Sequence, residues 1–303
     1  MSCMLTWSLA SALLAASAST APGQAPPAPD AFTRTVYVTV TDRNGTLIDD
    51  LTTADFVVKE GGKMREVVQA GPATAPMRIA LLIDDNGSGI FRYGVAKFIE
   101  RMQGRAEFAL STVTGQHLKI VDYTANVEAL IEAIGRLNAR PGTADGGQLL
   151  EGIFETAKDL EKRKAQRSVI VVLTVGGEEH SPLPAHHVLD QLQKSGAALN
   201  VISVSSSALR SMAAVQKPAG LLGENMNLSE VLGDGPKQSG GRSDEIVATA
   251  GLVAGLQELA QTLAHQYAVA YTRPEKGNSS DKISVSVKRP GLTVRAPVRV
   301  PTR

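Results

Sequence analysis

The sequence predicts an α/β protein: a doubly wound, mostly parallel sheet with helices on both faces, plus a small β module formed by the N- and C-terminal flanks. From residue 76 to 272, buried strand patterns alternate with amphipathic helix patterns, which is typical of a parallel sheet with right-handed crossovers. Both flanks instead alternate polar and apolar residues between Gly-containing turns, which indicates β structure. Neither flank has enough strands to be stable alone, so we expect the two flanks to pair.

The N-terminal β segment covers residues 35–72. Its first strand alternates faces from Thr35 to Val40, a turn follows at residues 42–45, and residues 56–63 have the pattern of a strand that ends in a tight turn. The C-terminal β segment covers residues 281–300 and alternates Ile and Val with Ser in its first half. These segments are the two halves of the predicted β module.

The α/β region, residues 76–272, carries the alternating elements. Apolar runs predict strands at residues 77–84, 106–113, 117–121, 168–174, 199–204 and 266–271. Amphipathic patterns predict helices at residues 90–102, 125–137, 148–163, 185–194 and 245–265. The strand at 168–174 is the clearest, because its five central residues are all apolar, as in a strand buried on both faces.

Residues 205–242 interrupt this alternation. They are rich in Gly, Ser, Pro and Lys, and their apolar content is limited to short stretches around Leu221-Leu222 and Val231-Leu232. Loops of this length in a compact domain are either functional or disordered. We interpret the segment as a surface insertion and leave two alternatives open, a mobile loop or a segment that recognises a partner.

The first charged side chain is Asp30, and an apolar, Ala/Ser-rich run precedes it. Small residues at Ala16-Ser17-Ala18 and Ser19-Thr20-Ala21 have the spacing of a signal-peptide cleavage site. We therefore interpret residues 1–21 as a signal peptide and residues 22–34 as a Pro-rich linker, with an Ala-rich disordered terminus as the alternative. A signal peptide predicts an exported protein of the periplasm, the cell surface or the extracellular space. The only cysteine, Cys3, lies in this leader, so the mature chain is expected to have no disulfide.

Composition argues against nucleic-acid binding and against a membrane-spanning segment. The chain has 31 Lys and Arg against 30 Asp and Glu, and aromatic residues make up only 4% of it, so nucleic acid is not an expected partner. The Ala/Leu-rich segment at residues 247–263 is interrupted by glycines and by polar residues and is too short to span a bilayer. We therefore predict no transmembrane span in the mature chain.

Polar residues follow the predicted strands at the points where a doubly wound sheet binds ligands. The first strand of the α/β region ends in Asp84-Asp85-Asn86-Gly87-Ser88-Gly89, and a loop at residues 140–143 contributes Thr143. A third loop, Val175 to Glu179, follows the strand at 168–174. Carboxylate, amide and hydroxyl oxygens in this arrangement are ligands that Mg²⁺ accepts.

With these motifs, the chain resembles von Willebrand factor type A (VWA) proteins of the exported bacterial kind. The resemblance is carried by residues 38–45, 51–56, 81–84 and 266–292. Members of the family bind a divalent cation through Asp-x-Ser-x-Ser, a Thr and a distant Asp, and the cation takes a carboxylate from a partner. The resemblance assigns the cation ligands to Asp84, Asn86, Ser88 and Thr143.

Two positions depart from the family pattern. Asn86 stands in place of the first Ser, and its oxygen can still coordinate a cation. Val175 stands in place of the Asp and supplies no ligand, a change of the kind that commonly lowers affinity about 10-fold to 100-fold. The resemblance therefore implies a degenerate site that binds Mg²⁺ or Mn²⁺ weakly or not at all.

The predicted function is that of a non-enzymatic interaction module that recognises a protein partner at the carboxyl edge of the sheet. The candidate partner-binding residues are Asp85, Gly87, Gly89, Gly176 and Glu178. One alternative is binding through the β flanks or the 205–242 insertion, with a vestigial metal site. Another is a metal-dependent hydrolase with Zn²⁺ held by His180, His186 and His187, beside Glu178 and Glu179.

Overall fold

A computed structural model describes residues 33–85, 87–137, 147–204, 222–273 and 280–301, with side chains in these ranges except at residues 222–225. The strands, β1 to β13, are Thr33–Thr41, Phe56–Glu60, Lys63–Arg65, Val67–Pro72, Met77–Asp84, Ala106–Thr112, Leu118–Thr124, Arg167–Thr174, Ala198–Val204, Ser243–Ile246, Tyr267–Thr272, Ile283–Val287 and Thr293–Arg295. The helices, α1 to α6, are Arg92–Arg101, Val127–Arg136, Leu149–Lys162, Ala185–Ser195, Leu222–Ser239 and Leu252–Ala264.

The largest sheet has six strands in the order β10-β9-β8-β5-β6-β7. All neighbours are parallel except β6 and β7, which are antiparallel. Counted from β5 along the chain, this is the doubly wound order 3-2-1-4-5-6 read from the β7 edge. Strand β8 is buried along its whole length, which explains the unbroken apolar run at its residues 169–173. The predicted fold class is confirmed.

Helices cover both faces of this sheet. One face packs against α1, α2 and α6 around buried residues such as Phe98, Leu130 and Leu256. The other face packs against α3, α4 and α5, with Ile153 and Val231 in its core. Side chains of β5 alternate between the two layers, because successive residues of a strand point to opposite faces.

The flanks form the predicted β module. A four-stranded sheet has the order β13-β1-β11-β4, and a three-stranded sheet has the order β12-β2-β3. The C-terminal strand β12 pairs with β2, and β13 pairs with β1, so the two flanks do pair with each other. Phe56, Val58, Tyr267 and Val269 are among the residues of the module's core.

The placement of the last strand of the α/β series was wrong. Residues 267–272 form β11, which lies between β1 and β4 in the β module and not in the six-stranded sheet. The burial of β11 alternates along the strand, whereas β8 is buried at every residue. Alternating burial fits a sheet with one buried face, so the strand belongs to the flanking module.

The interpretation of residues 222–242 as loop was also wrong. Residues 222–239 form α5, and the helix predicted at 245–265 begins only at Leu252, after strand β10. A Cβ atom at Gly235 would lie 2.7 Å from the side chain of Leu199, so this glycine permits close packing of the helix on the sheet. Ser239 accepts a hydrogen bond from the Leu199 amide at 2.8 Å. Residues 205–221 lie outside the described ranges.

The predicted signal peptide and nearly all of the Pro-rich linker, residues 1–32, also lie outside the described ranges. Within those ranges, no helix has both the length and the apolar character that a membrane crossing requires.

Tyr267 of β11 contacts the loop between β1 and β2, and removal of its hydroxyl tests that contact. Its hydroxyl accepts a hydrogen bond from the buried Leu51 amide at 3.1 Å. Tyr267→Phe leaves this amide without its partner, so we expect the free energy of unfolding to fall by about 1–3 kcal/mol in urea denaturation. Tyr93→Phe, at a tyrosine that is 66% exposed, is the control and should change stability by less than about 0.5 kcal/mol. Equal stabilities for the two variants would contradict this role.

Candidate functional site

The two central strands of the six-stranded sheet end in a hydrogen-bonded pair of side chains. Asp84 ends β5 and Thr174 ends β8, and the two residues are partners in the parallel register. The Thr174 hydroxyl donates to Asp84 Oδ2 at 2.6 Å. The chain leaves β5 toward α1 on one face and leaves β8 toward α4 on the other face. The pair therefore lies at the switch point where doubly wound sheets bind ligands.

Asp84 is a buried carboxylate, with 6% of its surface exposed. Burial raises its pKa above the ordinary value, the hydrogen bond from Thr174 opposes that change, and the nearby Asp85 adds to it. A Cβ atom at Gly147 would lie 3.4 Å from Asp84 Oδ1, so this glycine lets the backbone before α3 pass close to the carboxylate. The local environment favours a positive charge or a proton beside Asp84.

Asp85 builds the loop that follows β5. Its Oδ1 accepts from the Gly87 amide at 2.9 Å and its Oδ2 accepts from the Gly89 amide at 2.7 Å. Both glycines have positive φ angles, 74° and 69°, which favour glycine. Asp85 is buried and holds the loop through these two hydrogen bonds. Ser88, in contrast, is exposed on the surface of the loop. Asn86 lies outside the described ranges.

The loop after β8 lies beside this loop at the same edge of the sheet. The Val175 amide donates to the Asp84 carbonyl at 3.0 Å, and the Val175 side chain packs against the core. Gly176 is exposed and donates its amide to Thr174 Oγ1 at 2.9 Å. Glu178 is partly exposed, and its carbonyl accepts from the Gly147 amide at 2.7 Å. The predicted residues after both strands are thus brought together.

Glu179 has a role that the sequence did not reveal. Its Oε2 accepts from the Leu149 amide at the start of α3 at 3.0 Å, and its Oε1 accepts from the Ser181 amide at 2.9 Å. Burial raises its pKa to about 7, against the effect of these amides and with a contribution from Asp84. Glu179 and Leu149 are 30 residues apart, so no local pattern connects them.

A groove of about 450 Å³ runs beside the Asp85 loop. Gly87, Thr112 and Thr114 line one part of it, and Leu118 and Ile120 of the edge strand β7 line another. Leu118 is half exposed, so the groove offers apolar contact next to the polar loop. A partner that binds this edge can therefore contact both polar and apolar groups.

The described residues hold an incomplete set of cation ligands. Asp84 and Ser88 are present at the edge, Val175 provides no oxygen from its side chain, and Asn86 and Thr143 lie outside the described ranges. Mg²⁺ keeps several waters and is bound through only one or two carboxylates, so Asp84 and Ser88 form a partial ligand set that waters would have to complete.

The histidines of the zinc alternative do not converge on one site. The rings of His186 and His187 lie 4.4 Å apart, and His180 Nε2 is 4.0 Å from Glu178 Oε2. In the part of the chain that the structure describes, no group of three or more His, Cys, Asp or Glu side chains could hold a metal ion.

The architecture is the one that the resemblance implies. The six strands follow the doubly wound order with an antiparallel edge strand, helices cover both faces, and Asp84 ends the first strand of the sheet. The chain has a VWA-type fold. The flanking β module is an addition to this VWA-type sheet and comes from segments on both sides of it.

Comparisons with known proteins place VWA domains among the similar structures. No family model matches the sequence, and no curated protein matches it. A von Willebrand factor type A structure from Catenulispora acidiphila is 10% identical, with 89% of this chain and 75% of that chain covered and a TM-score of 0.46. The vWF domain of the type V pili tip protein Mfa5 from Porphyromonas gingivalis is 12% identical, with 63% and 96% covered and a TM-score of 0.45.

A third similar structure holds a metal. Proximal thread matrix protein 1 from the mussel byssus, described with a zinc-occupied MIDAS motif, is 13% identical, with 67% of this chain covered and a TM-score of 0.47. The match spans only 50% of the mussel protein's length.

The raised pKa of Glu179 makes stability depend on pH. The native state holds this proton more tightly than the unfolded state, so the stabilisation is full below about pH 4.5 and is lost as the pH rises through about 7. The difference corresponds to about 3 kcal/mol. Glu179→Gln should flatten the decline in unfolding free energy over this range, measured by urea denaturation at each pH. Glu178→Gln, the same exchange at the preceding residue, is the control and should keep the wild-type slope. An unchanged slope in Glu179→Gln would show that Glu179 does not cause the pH dependence.

Proposed function

We propose that this chain is an exported, non-enzymatic interaction module that recognises a protein partner at the carboxyl edge of its VWA-type sheet. The observation that carries the proposal is the Asp84 and Thr174 pair, joined at 2.6 Å where the two central strands end. Ligands of doubly wound sheets bind at this position. The proposal of export rests on the signal-peptide pattern of residues 1–21.

The surface around this pair suits protein recognition. Ser88 and Gly176 are exposed on the two neighbouring loops, and the groove beside them adds the half-exposed Leu118. Asp85 fixes the first loop by accepting two of its amides, so the loop has little conformational entropy to lose when a partner binds. The role of Asp85 is thus to position the loop, while Gly87, Gly89, Gly176 and Glu178 provide the contact surface.

The cation site is weakened or lost in this proposal. Asp84 provides one carboxylate, and the position at which VWA proteins have a second acidic residue is occupied by Val175, whose side chain packs against the core. If a cation bound, Asp84 and Ser88 would be its described ligands, and it would supply an open coordination position for a carboxylate of the partner. With one acidic ligand missing, recognition depends mainly on the protein surface.

A single substitution tests the cause of the weak cation site. Val175→Asp restores the carboxylate that VWA proteins have at this position, so millimolar Mg²⁺ should raise the unfolding midpoint of this variant by about 2 °C or more relative to EDTA, because an ion that binds only the native state stabilises it. The wild type should shift by less than about 1 °C in the same comparison. Differential scanning calorimetry measures both shifts.

Val175→Asn is the matched control, because it adds an oxygen ligand without the charge, and we expect it to respond as the wild type does. A Mg²⁺ response in the wild type that disappears in Asp84→Ala would contradict a weakened site. A Val175→Asp variant that ignores Mg²⁺ would show that the missing carboxylate is not what limits cation binding.

The recognition surface is tested with a charge on the exposed loop. Ser88→Arg places a bulky cation at the carboxyl edge, and Gln103→Arg places the same side chain at an exposed position just before β6, at the opposite end of the sheet. In quantitative pull-downs from extracts of the producing cells, Ser88→Arg should lose at least about 90% of a partner that the wild type and Gln103→Arg both retain, because truncating or blocking a central contact costs about 2 kcal/mol or more.

Equal recovery of the partner by Ser88→Arg and Gln103→Arg would exclude the carboxyl edge as the binding surface. Recognition would then fall to the β flanks or to the 205–242 segment.

A further inference from the structure

A second groove, of about 240 Å³, lies at the opposite end of the sheet, between the amino ends of its strands and the β module. Its walls come from β1, the start of β8, α4, the end of α5 and residues 297–301. Of the described residues that line it, none is acidic, and three are arginines: Arg34, Arg167 and Arg299. The groove is therefore a positively charged site that is separate from the carboxyl edge.

Two of these arginines already have acidic partners. Arg34 Nη1 lies 3.0 Å from Glu60 Oε1, and Arg299 Nη1 lies 3.4 Å from Asp281 Oδ2. Arg299 also donates to Gln193 Oε1 at 3.1 Å. Glu60 is shared with Arg65, whose Nε lies 3.9 Å from Glu60 Oε2, so the charge of Arg34 is only partly compensated. Arg167 is the arginine of this groove that has no acidic partner among the described residues.

Arg167 is buried, with 3% of its surface exposed, and no carboxylate of the described residues pairs with it. Its Nη2 donates to Gln266 Oε1 at 2.8 Å and to the Leu263 carbonyl, and its Nη1 donates to the Ala73 carbonyl at 3.4 Å. Its Nε is buried and has no hydrogen-bond partner in the described part of the chain. Neutral acceptors thus surround a full positive charge.

The charge of Arg167 persists at neutral pH. Burial lowers its pKa to about 10, and Arg105 contributes to that change, yet the guanidinium remains protonated under physiological conditions. The Tyr37 ring, 5.1 Å from the guanidinium carbon, adds a weak attraction. A buried charge is costly unless an opposite charge pairs with it, and the carbonyl groups provide only partial compensation.

The groove also has an apolar wall. Leu189 and Leu192 of α4 line the groove, and Leu189 is the more exposed of the two. A ligand that matches both features carries one negative head group and a short apolar body.

We propose that this groove binds a small organic anion, with the anionic group beside Arg167 and the apolar part against Leu189 and Leu192. The anion provides the negative charge that the described residues do not supply to Arg167. This site is independent of the proposed partner surface, because the two lie at opposite ends of the strands.

Three probes of equal chain length separate the contributions of charge and apolar contact. Isothermal titration calorimetry of the full mature chain at low salt should detect hexanoate or hexyl phosphate with a Kd below about 1 mM, and hexanol should bind at least about tenfold more weakly. The preferred anion of the two indicates whether the natural ligand is a carboxylate or a phosphate ester. Equal binding of hexanol, or no binding of either anion, would overturn the proposal.

A pair of surface variants tests the location without touching Arg167, whose replacement could unfold the protein. Gln166→Glu adds a carboxylate to the wall of the groove at an exposed position, and Gln103→Glu makes the same exchange at an exposed position outside it. Hexanoate affinity should fall at least about tenfold in Gln166→Glu, through repulsion and competition for Arg167, and should stay within about twofold in Gln103→Glu. Unchanged affinity in Gln166→Glu, or equal losses in both variants, would overturn the assignment.

Discussion

One buried guanidinium joins the β module to the α/β sheet at several points. The chain passes between the two parts after β4 and again after α6, and Arg167 bonds to carbonyl or amide oxygens on both connections, at Ala73, Leu263 and Gln266. Its face also lies against Tyr37 of β1. Because a single planar group with several donors contacts both connections and one strand, it contributes to the orientation of the module, together with the hydrogen bonds from Val298 and Arg299 to Gln238.

The sequence predicted those strands correctly whose pattern of apolar residues reflects their burial. The runs that became β5 and β8 are buried on both faces, so their apolar sequences marked the center of the sheet, and Asp84 could be placed at its edge. The pattern of apolar residues did not place β11 in the correct sheet, because a six-residue strand has a similar sequence in either sheet. Only its pairing with β1 and β4 shows that it belongs to the β module. The pattern also failed for α5, where glycine was taken as a sign of a loop although Gly235 serves close packing.

At the candidate site, residues close in sequence were easier to predict than residues that meet through the fold. The loop from Asp84 to Gly89 was identified from its composition, but the inward role of Asp85 depends on which amides its oxygens accept. The cap that Glu179 places on α3, and the approach of Gly147 to Asp84, join segments that no local pattern connects. The VWA resemblance supplied the position of Val175, which no argument from spacing would have marked.

The membership of β11 in the flanking module sets an order for folding. Leu51 and Tyr267 are 216 residues apart, so the module that begins with the first described strand cannot close until both of its flanks are present. Contacts of such separation form slowly, because the intervening chain must be ordered first. Until then β1 lacks both of its neighbours, β11 and β13, and presents unpaired edges that can join other chains. Forms that lack the C-terminal flank would therefore be more prone to aggregate than the complete fold.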